Sequence, residues 1–438
     1  MSDIIQPRVL KGFRDILPEA EIERADMMER LTDTFRSYGF VPIDTPVLEY
    51  AEILLGKAGG DTEKQVYRFK DNGGRDVAMR FDLTVPFARF MAEHLAELYL
   101  PFKRYHMAKV WRGENTQRGR YREFVQCDFD IVGSDSAAAD FEILSIMRAA
   151  MCALGVSDTT IHMNNRAVFN RFLARLNLGE KSVEILRVVD KLAKLGADET
   201  RAQLAALAGD EAAGQLMDYI RSDESFDATL ARITRLAGGP GADTERLQAI
   251  WAMAEACGIA GAIVLSPNIT RGLDYYTGIV FETFLNELPE IGSVCSGGRY
   301  NDLASLYTKH KLPGVGASVG MDRLLAGIEA IGKSSKRGSY TQLIILNMDA
   351  SLEPEYQAAA AVLRSAGIAS ELFLEQRKLG QQYAYAEKKG IPYALIRGAE
   401  ESARGVWLLR DMAQRENSEH ASVAALASAL KAALNGRD

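Results

Sequence analysis

The segment YHMAKVWRGENTQRGRYREFVQCDFDI, residues 105–131, constrains what this chain can fold into more than any other. It reads as two β-strands joined by a loop dense in positive charge. Successive side chains of a strand point to opposite faces. Val125, Cys127, Phe129 and Ile131 therefore share an apolar face, and Phe124, Gln126, Asp128 and Asp130 share the other. The apolar face belongs on a core. The opposite face carries Gln126 and Asp130, with Arg112 at the end of the first strand and Arg118, Arg120 and Arg122 in the loop. Acceptors on a sheet floor with guanidinium groups at its rim suit a ligand that has both an amine and phosphates. Read alone, the basic loop is equally a solvated surface.

At 438 residues the chain exceeds one ordinary core, so two or three domains are expected. A hydrophobic content of 47% and a charged content of 25% are those of a soluble globular protein. No stretch approaches the roughly 20 apolar residues of a membrane span. The start, MSDIIQPRVLKG, lacks the layout of a signal peptide. Cys127, Cys152, Cys257 and Cys295 are scattered without C-x-x-C spacing, which predicts reduced thiols, no zinc knuckle and a cytoplasmic location. A net charge of −7 excludes a generally basic nucleic-acid-binding protein. Charge is nevertheless uneven: Lys103, Arg104, Lys109, Arg112, Arg118, Arg120 and Arg122 stand against the single acid Glu114 in that stretch. An acidic protein can bind RNA through such a local patch.

Residues 18–39 read as a helix, opened by Pro18, closed by Gly39 and apolar every three or four positions. GFVPIDTPVLEY is β-rich but broken by Pro42 and Pro46, which predicts an edge strand or interface segment. MRFDLTVPF (79–87) reads as a strand, followed by a helix to about residue 97. Strands are expected at 103–112 and 123–132 and a helix at 137–154. Ala, Leu, Arg, Glu and Asp at helical spacing mark a helical insertion over about 166–260. Strand patterns resume at GLDYYTGIVFETF (272–284), CSGGRYNDL (295–303) and GVGASVGMDRLLAGIEAIG (314–332), the last running into a helix. A polar linker, 333–339, leads to strands alternating with helices over 340–438, which imply a small α/β domain with a largely parallel sheet. The fold class is thus α/β of the α+β kind, with the first domain at 1–332.

Several strands place polar residues on a period of two. Arg80, Asp82 and Thr84 alternate with Phe81 and Leu83, and Asp274 and Tyr276 share a face with Glu282. One such face is ordinarily the solvent side of a sheet. Repeated use of Asp, Gln, Thr, Tyr and Arg favours a pocket floor. Gly297 and Gly298 allow close backbone approach, and Gly314, Gly316 and Gly320 precede a helix with Arg323 in its first turn, where anions are attracted. There is no Walker loop, no G-x-S-x-G, no H-E-x-x-H and no Cys/His cluster. His106 reads as structural. Positioning and charge neutralisation, the style of nucleotidyl transfer, remain.

These segments resemble the histidyl-tRNA synthetase family, class II aminoacyl-tRNA synthetases, along essentially the whole chain. The run through Pro46 is similar to class II motif 1, a dimer-interface element. Arg104–Gly133 is similar to motif 2 and GVGASVGMDRLL to motif 3. RGLDYYTG (271–278) and CSGGRYNDL match the signature segments of the histidine enzymes, and Asp82-Leu83-Thr84 with Asp130 match one variety of them. The resemblance implies a class II antiparallel sheet and a C-terminal anticodon-binding domain. Its implied activity is a histidine–tRNA ligase, with L-histidine, ATP and tRNA(His) as partners in a homodimer. Mg²⁺ would accompany ATP, with no tightly bound cofactor and no structural metal. Histidine would be held by Asp82, Leu83, Thr84, Arg112, Gln126, Asp130, Arg271, Tyr275 and Tyr276. Arg112, Glu114, Arg120 and Arg323 would hold ATP, Gln117 and Arg118 would meet the tRNA acceptor end, and Arg112, Arg271 and Arg323 would be catalytic. The competing expectation is a non-catalytic regulatory subunit of histidine biosynthesis that keeps the fold.

Overall fold

A computed structural model describes residues 4–56, 63–223, 225–269 and 276–435. The chain divides into two compact units, Met1–Asp15 with Met27–Ser334, and Ile16–Asp26 with Ser335–Asp438.

Helix Pro18–Ser37 begins at a proline, whose missing N–H is no loss in a first turn, and Gly39 follows it at φ +79°. The proline-broken run after it forms only two short strands, β1 (Val41–Pro42) and β2 (Leu48–Tyr50). With β3 (Arg68–Lys70) and β4 (Asp76–Met79), β2 makes a three-stranded sheet in the order β2-β4-β3. The strand expected over 79–87 ends at Met79, and a helix, Thr84–His94, starts within it. Asp82 Oδ1 accepts from Val85 N at 3.1 Å, and Pro86 falls in the first turn, where it needs no N–H. The alternation of polar and apolar residues there mimics a strand across a helix start.

Strands β5 (Phe102–Trp111) and β6 (Glu123–Val132) form the long hairpin foreseen from sequence, in a register that sets Arg104 opposite Asp130. Val125, Cys127, Phe129 and Ile131 join the core, where Phe35 meets Phe129 at 4.9 Å between ring centroids. Helix Ala137–Ala153 covers this face, its start capped by Ser136 Oγ accepting from Ala139 N. After β7 (Thr159–Asn165), helices and turns fill Arg166–Ala256. Then come β8 (Ile263–Leu265), β9 (Ile279–Leu285), β10 (Cys295–Arg299) and β11 (Gly314–Gly320).

The eight-stranded sheet has the order β1-β5-β6-β11-β10-β9-β7-β8. Its neighbours are antiparallel except β1 with β5 and β7 with β8, which are parallel. The proline-containing β1 lies at an edge, as its missing N–H requires. One face packs on the helices, and the other carries the polar side chains of β6.

The second unit carries β12 (Leu343–Ile345), β13 (Ser370–Leu372), β14 (Tyr393–Ile396), β15 (Trp407–Asp411) and β16 (Asn417–His420), ordered β13-β12-β14-β15-β16. Leu343 and Ile345 pack under helices Glu353–Ser365 and Val423–Asn435, while Ile344 points to Ala386 on the other face. The expected parallel character holds for β12 with β13 and β14 only. Strands β15 and β16 are antiparallel, and β16 was not foreseen. Its sequence, NSEH, has no apolar face to reveal it, because it is an exposed edge closed by a tight turn from Asp411.

Candidate active site

A cavity of about 1110 Å³ opens on the polar face of the eight-stranded sheet. Phe124, Gln126, Asp128 and Asp130 of β6 form its floor, as the period of two requires, together with Gly297 of β10 and Gly316 and Ser318 of β11. The loop from Arg112 to Tyr121 and the start of helix Met321–Ala330 form its rim.

The floor is built around a buried guanidinium. Arg104 is wholly buried, with Nη2 2.7 Å from Asp130 Oδ2 and 3.9 Å from Asp128 Oδ2. Its Cζ lies 4.2 Å from the centre of the Phe87 ring. Tyr300 OH donates to Asp130 Oδ1, and Gln126 Nε2 donates to Ser318 Oγ at 3.1 Å. Burial pushes the Asp130 carboxyl up to about 7, with Asp128 and Asp82 adding to the rise while Arg104 and the Tyr300 hydrogen bond oppose it. Asp128 is likewise raised, chiefly by burial. Burial beside these carboxylates pushes the Tyr276 phenol up too, so it stays neutral and can both donate and accept.

Glycines make the room. A Cβ on Gly316 would lie 1.9 Å from Asp130 Oδ1, and one on Gly298 would lie 3.0 Å from the Tyr276 ring. One on Gly297 would lie 2.2 Å from Gly316 O. The close approach expected of this glycine pair is therefore made to the neighbouring strand and to an aromatic ring.

The rim is basic and more open. Arg112 Nε donates to Phe81 O at 2.9 Å, and its guanidinium lies over Phe124. Residues 117–120 form a tight turn, Gln117 and Arg120 exchanging backbone hydrogen bonds with Gly119 at φ +69°. Gly119 abuts Arg323, where a Cβ would sit 3.1 Å from Arg323 Cα. Arg323 Nη1 donates to Ser293 O at 2.8 Å, and Arg120 is 3.6 Å from Glu114. Burial pushes Arg323 down from its ordinary value, and the charges of Arg120 and Arg112 push it further. Crowded positive charge of this kind is relieved by a polyanion.

Thr84, Arg112, Glu114, Gln117, Arg118, Arg120, Gln126, Asp130, Tyr276 and Arg323 all line the cavity, so the structure brings these expected residues together. Asp82 and Leu83 do not line it: both are fully buried, and Leu83 O accepts from Arg104 Nη2 at 3.4 Å. Arg271 and Tyr275 lie outside the described residues, as does Asp274. Arg122 turns away, its Nε donating to Glu114 O. His106 is structural, buried with Nε2 3.0 Å from Asp44, and burial together with Arg104 and Arg80 pushes it down to about 3. Arg299 is also structural, its Nε 2.8 Å from the buried Asp140.

Sequence reasoning gave no role to Arg104, Tyr300, Ser318 or Asp128. Asp128 stood on the correct face of β6, and the hairpin register would have set Arg104 against Asp130. Tyr300 reaches Asp130 across 170 residues of chain, and no local pattern signals that.

The family model of histidyl-tRNA synthetase matches residues 12–324, and that of an anticodon binding domain matches 342–433. The histidine–tRNA ligase of Treponema denticola is 58% identical over 403 residues, 90% of each chain. That of Rhodopirellula baltica is 46% identical over 440 residues, 98% of this chain and 100% of the other. A crystal structure of histidyl-tRNA synthetase from a Nostoc species superposes with a TM-score of 0.88 at 32% identity, covering 98% of this chain and 99% of that one.

Proposed function

The chain belongs to the histidyl-tRNA synthetase family, and we propose that this cavity activates L-histidine with ATP and passes it to tRNA(His). The observation that carries the reading is the division of the cavity into a floor of buried acceptors and a rim of arginines.

On the floor, Thr84 and Gln126, with Asp82 behind them, hold the α-ammonium group. Asp130 and Tyr276 face the imidazole, whose two ring nitrogens take one acceptor and one phenol. Leu83 backs the histidine site from beneath through its carbonyl on Arg104, and the resemblance assigns Tyr275 to the same site. Arg112 clamps the substrate carboxylate and the ATP α-phosphate. Glu114 orients the nucleotide, Arg120 stands at the β- and γ-phosphates, and Arg323 at the γ-phosphate. Arg271 adds positive charge at the reacting centre. Mg²⁺ enters with ATP as part of the substrate.

A carboxylate oxygen of histidine attacks the α-phosphorus in line. The bond to the bridging oxygen breaks, giving histidyl-adenylate and diphosphate. A hydroxyl of the tRNA's terminal adenosine then attacks the acyl carbon, loses its proton, and AMP departs. Both steps gather negative charge, which fixed guanidinium groups stabilise without reorganising. Gln117 and Arg118, at the exposed turn of the rim, meet the acceptor end.

Residues 1–332 act as the catalytic domain, with the helical insertion at 166–260, and residues 340–438 as the anticodon-binding domain beyond the linker 333–339. The enzyme works as a cytoplasmic homodimer. The edge position of β1, with Val41 exposed in it and Val47, Leu48 and Tyr50 exposed in the run that follows, supports a subunit interface there. No helix among the described residues is long and apolar enough to cross a membrane. A regulatory role without catalysis is not favoured, because Arg112, Arg120 and Arg323, which such a role would not use, line the cavity.

Exchange of radiolabelled diphosphate into ATP, assayed with each of the twenty amino acids, tests this. Histidine alone should support exchange. A response to another amino acid, or to none, would overturn the reading.

A further inference from the structure

Asp128 is unassigned in that scheme, yet it lies between Gln126 and Asp130 on the cavity face of β6 with only 2% of its surface exposed. Oδ2 is 3.5 Å from Thr84 Oγ1, and Ser318 stands close enough to favour its charged form. Oδ1 is buried and has no hydrogen-bond partner among the described residues. Two positions back along the strand, Gln126 gives its amide nitrogen to Ser318 and leaves Oε1 buried without a partner as well. Buried polar atoms are nearly always paired. Two unpaired acceptors on adjacent inward positions of one strand therefore point to a ligand that donates to both.

The electrostatics select the sign of that ligand. Arg104, the buried cation of the floor, makes its short contact with Asp130, and Asp128 Oδ2 lies farther off at 3.9 Å. Asp128 and Asp82 both act on Asp130 as like charges. Asp128 is thus left without a close guanidinium partner, which favours a cationic ligand beside it. An alkylammonium group carries three donors and no acceptor. Asp128 Oδ1, Gln126 Oε1 and the lone pairs of Thr84 Oγ1 supply three acceptors.

We propose that Asp128 binds the α-ammonium group of the amino-acid substrate directly, as its main counter-charge, with Gln126 and Thr84 completing the coordination. This rests on the cavity taking histidine as described above, and it adds a specificity-determining carboxylate to that site. Asp82, which accepts from Val85 N and lies off the cavity lining, then contributes charge from beneath.

The test compares histidine with 3-(imidazol-4-yl)propanoate, which keeps the ring and the carboxylate and lacks only the amine. In the full-length chain, Asp128→Asn should raise KM for histidine in diphosphate exchange by about 100-fold, as expected when one partner of a buried charge pair is removed. KM for ATP and the inhibition constant of the deaminated compound should both stay within about twofold, because neither ligand meets Asp128. The two imidazole ligands then converge in affinity. An unchanged KM for histidine, or equal weakening of both ligands, would overturn the proposal. Asp128→Ser is read in the same way if Asp128→Asn does not fold. Failure of both to fold makes the carboxylate structural and also overturns it. A wild-type chain with no histidine-dependent exchange would instead remove the functional reading, whatever the variants do.

Discussion

On the floor of the cavity, Arg104, Asp128 and Asp130 sit on paired strands, nearly excluded from water and held to one another or to Tyr300. At the rim, Arg112 and Arg120 are half-exposed and Arg118 is exposed; Arg112 holds the Phe81 carbonyl and Arg120 stands 3.6 Å from Glu114. The two regions use the same residue types for different ends. Buried charges on a sheet are preorganised, and they recognise one small ligand by pairing or failing to pair with it. Charges on a loop can follow phosphates and an RNA end whose positions change between the two steps.

The sharpest way to break this contrast is Arg104→Met. It leaves Asp128 and Asp130 buried without their counter-charge, which should cost about 3–5 kcal/mol. Calorimetry should show a clear fall in the thermal midpoint of the first unit. An unchanged midpoint would mean that the floor is not organised by this guanidinium.

A smaller effect is expected from Asp130→Asn. The folded Asp130 carboxyl is pushed up to about 7, above its ordinary value, chiefly by burial. The folded chain therefore holds a proton that the unfolded chain has released. Ionising Asp130 costs stability progressively as pH rises from about 4 to about 7, and the loss is complete above that. Asp130→Asn should flatten this part of the stability–pH curve, measured by urea unfolding across that range. A slope identical to that of the parent chain would place the titration elsewhere.

The smallest expected effect belongs to the rim. Arg120→Ala should raise KM for ATP by about 3- to 10-fold and leave KM for histidine alone, with the difference shrinking at high salt. Parallel changes in both constants would erase the distinction between rim and floor.

Much of this site was legible because a strand's period is two. The face of β6 could be divided into core and pocket from Val125 to Ile131 alone, and Arg323 could be set at a helix start from the glycines before it. What escaped has physical reasons. Arg104 reads as one more member of a basic run, and only strand pairing turns it into a buried counter-ion. Residues 79–87 alternate as a strand would, yet Asp82 and Pro86 suit a helix start equally well, and tertiary context decides. Strand β16 has no apolar side to read. In the second unit, a pattern of alternating strands and helices was a fair guide to the first three strands and a poor one to the last two.

Gly316 has a bearing on how such a pocket could be altered. Its missing side chain is the seat of the Asp130 carboxylate, so the floor holds no spare volume at that point. Neither position can grow alone: any added carbon at 316 evicts the carboxylate, and a longer acid at 130 has to find its room elsewhere. Volume at this point of the floor is therefore set by two residues acting as one. A larger side chain at either position calls for a compensating change at the other, so enlargement here has to come as a paired substitution.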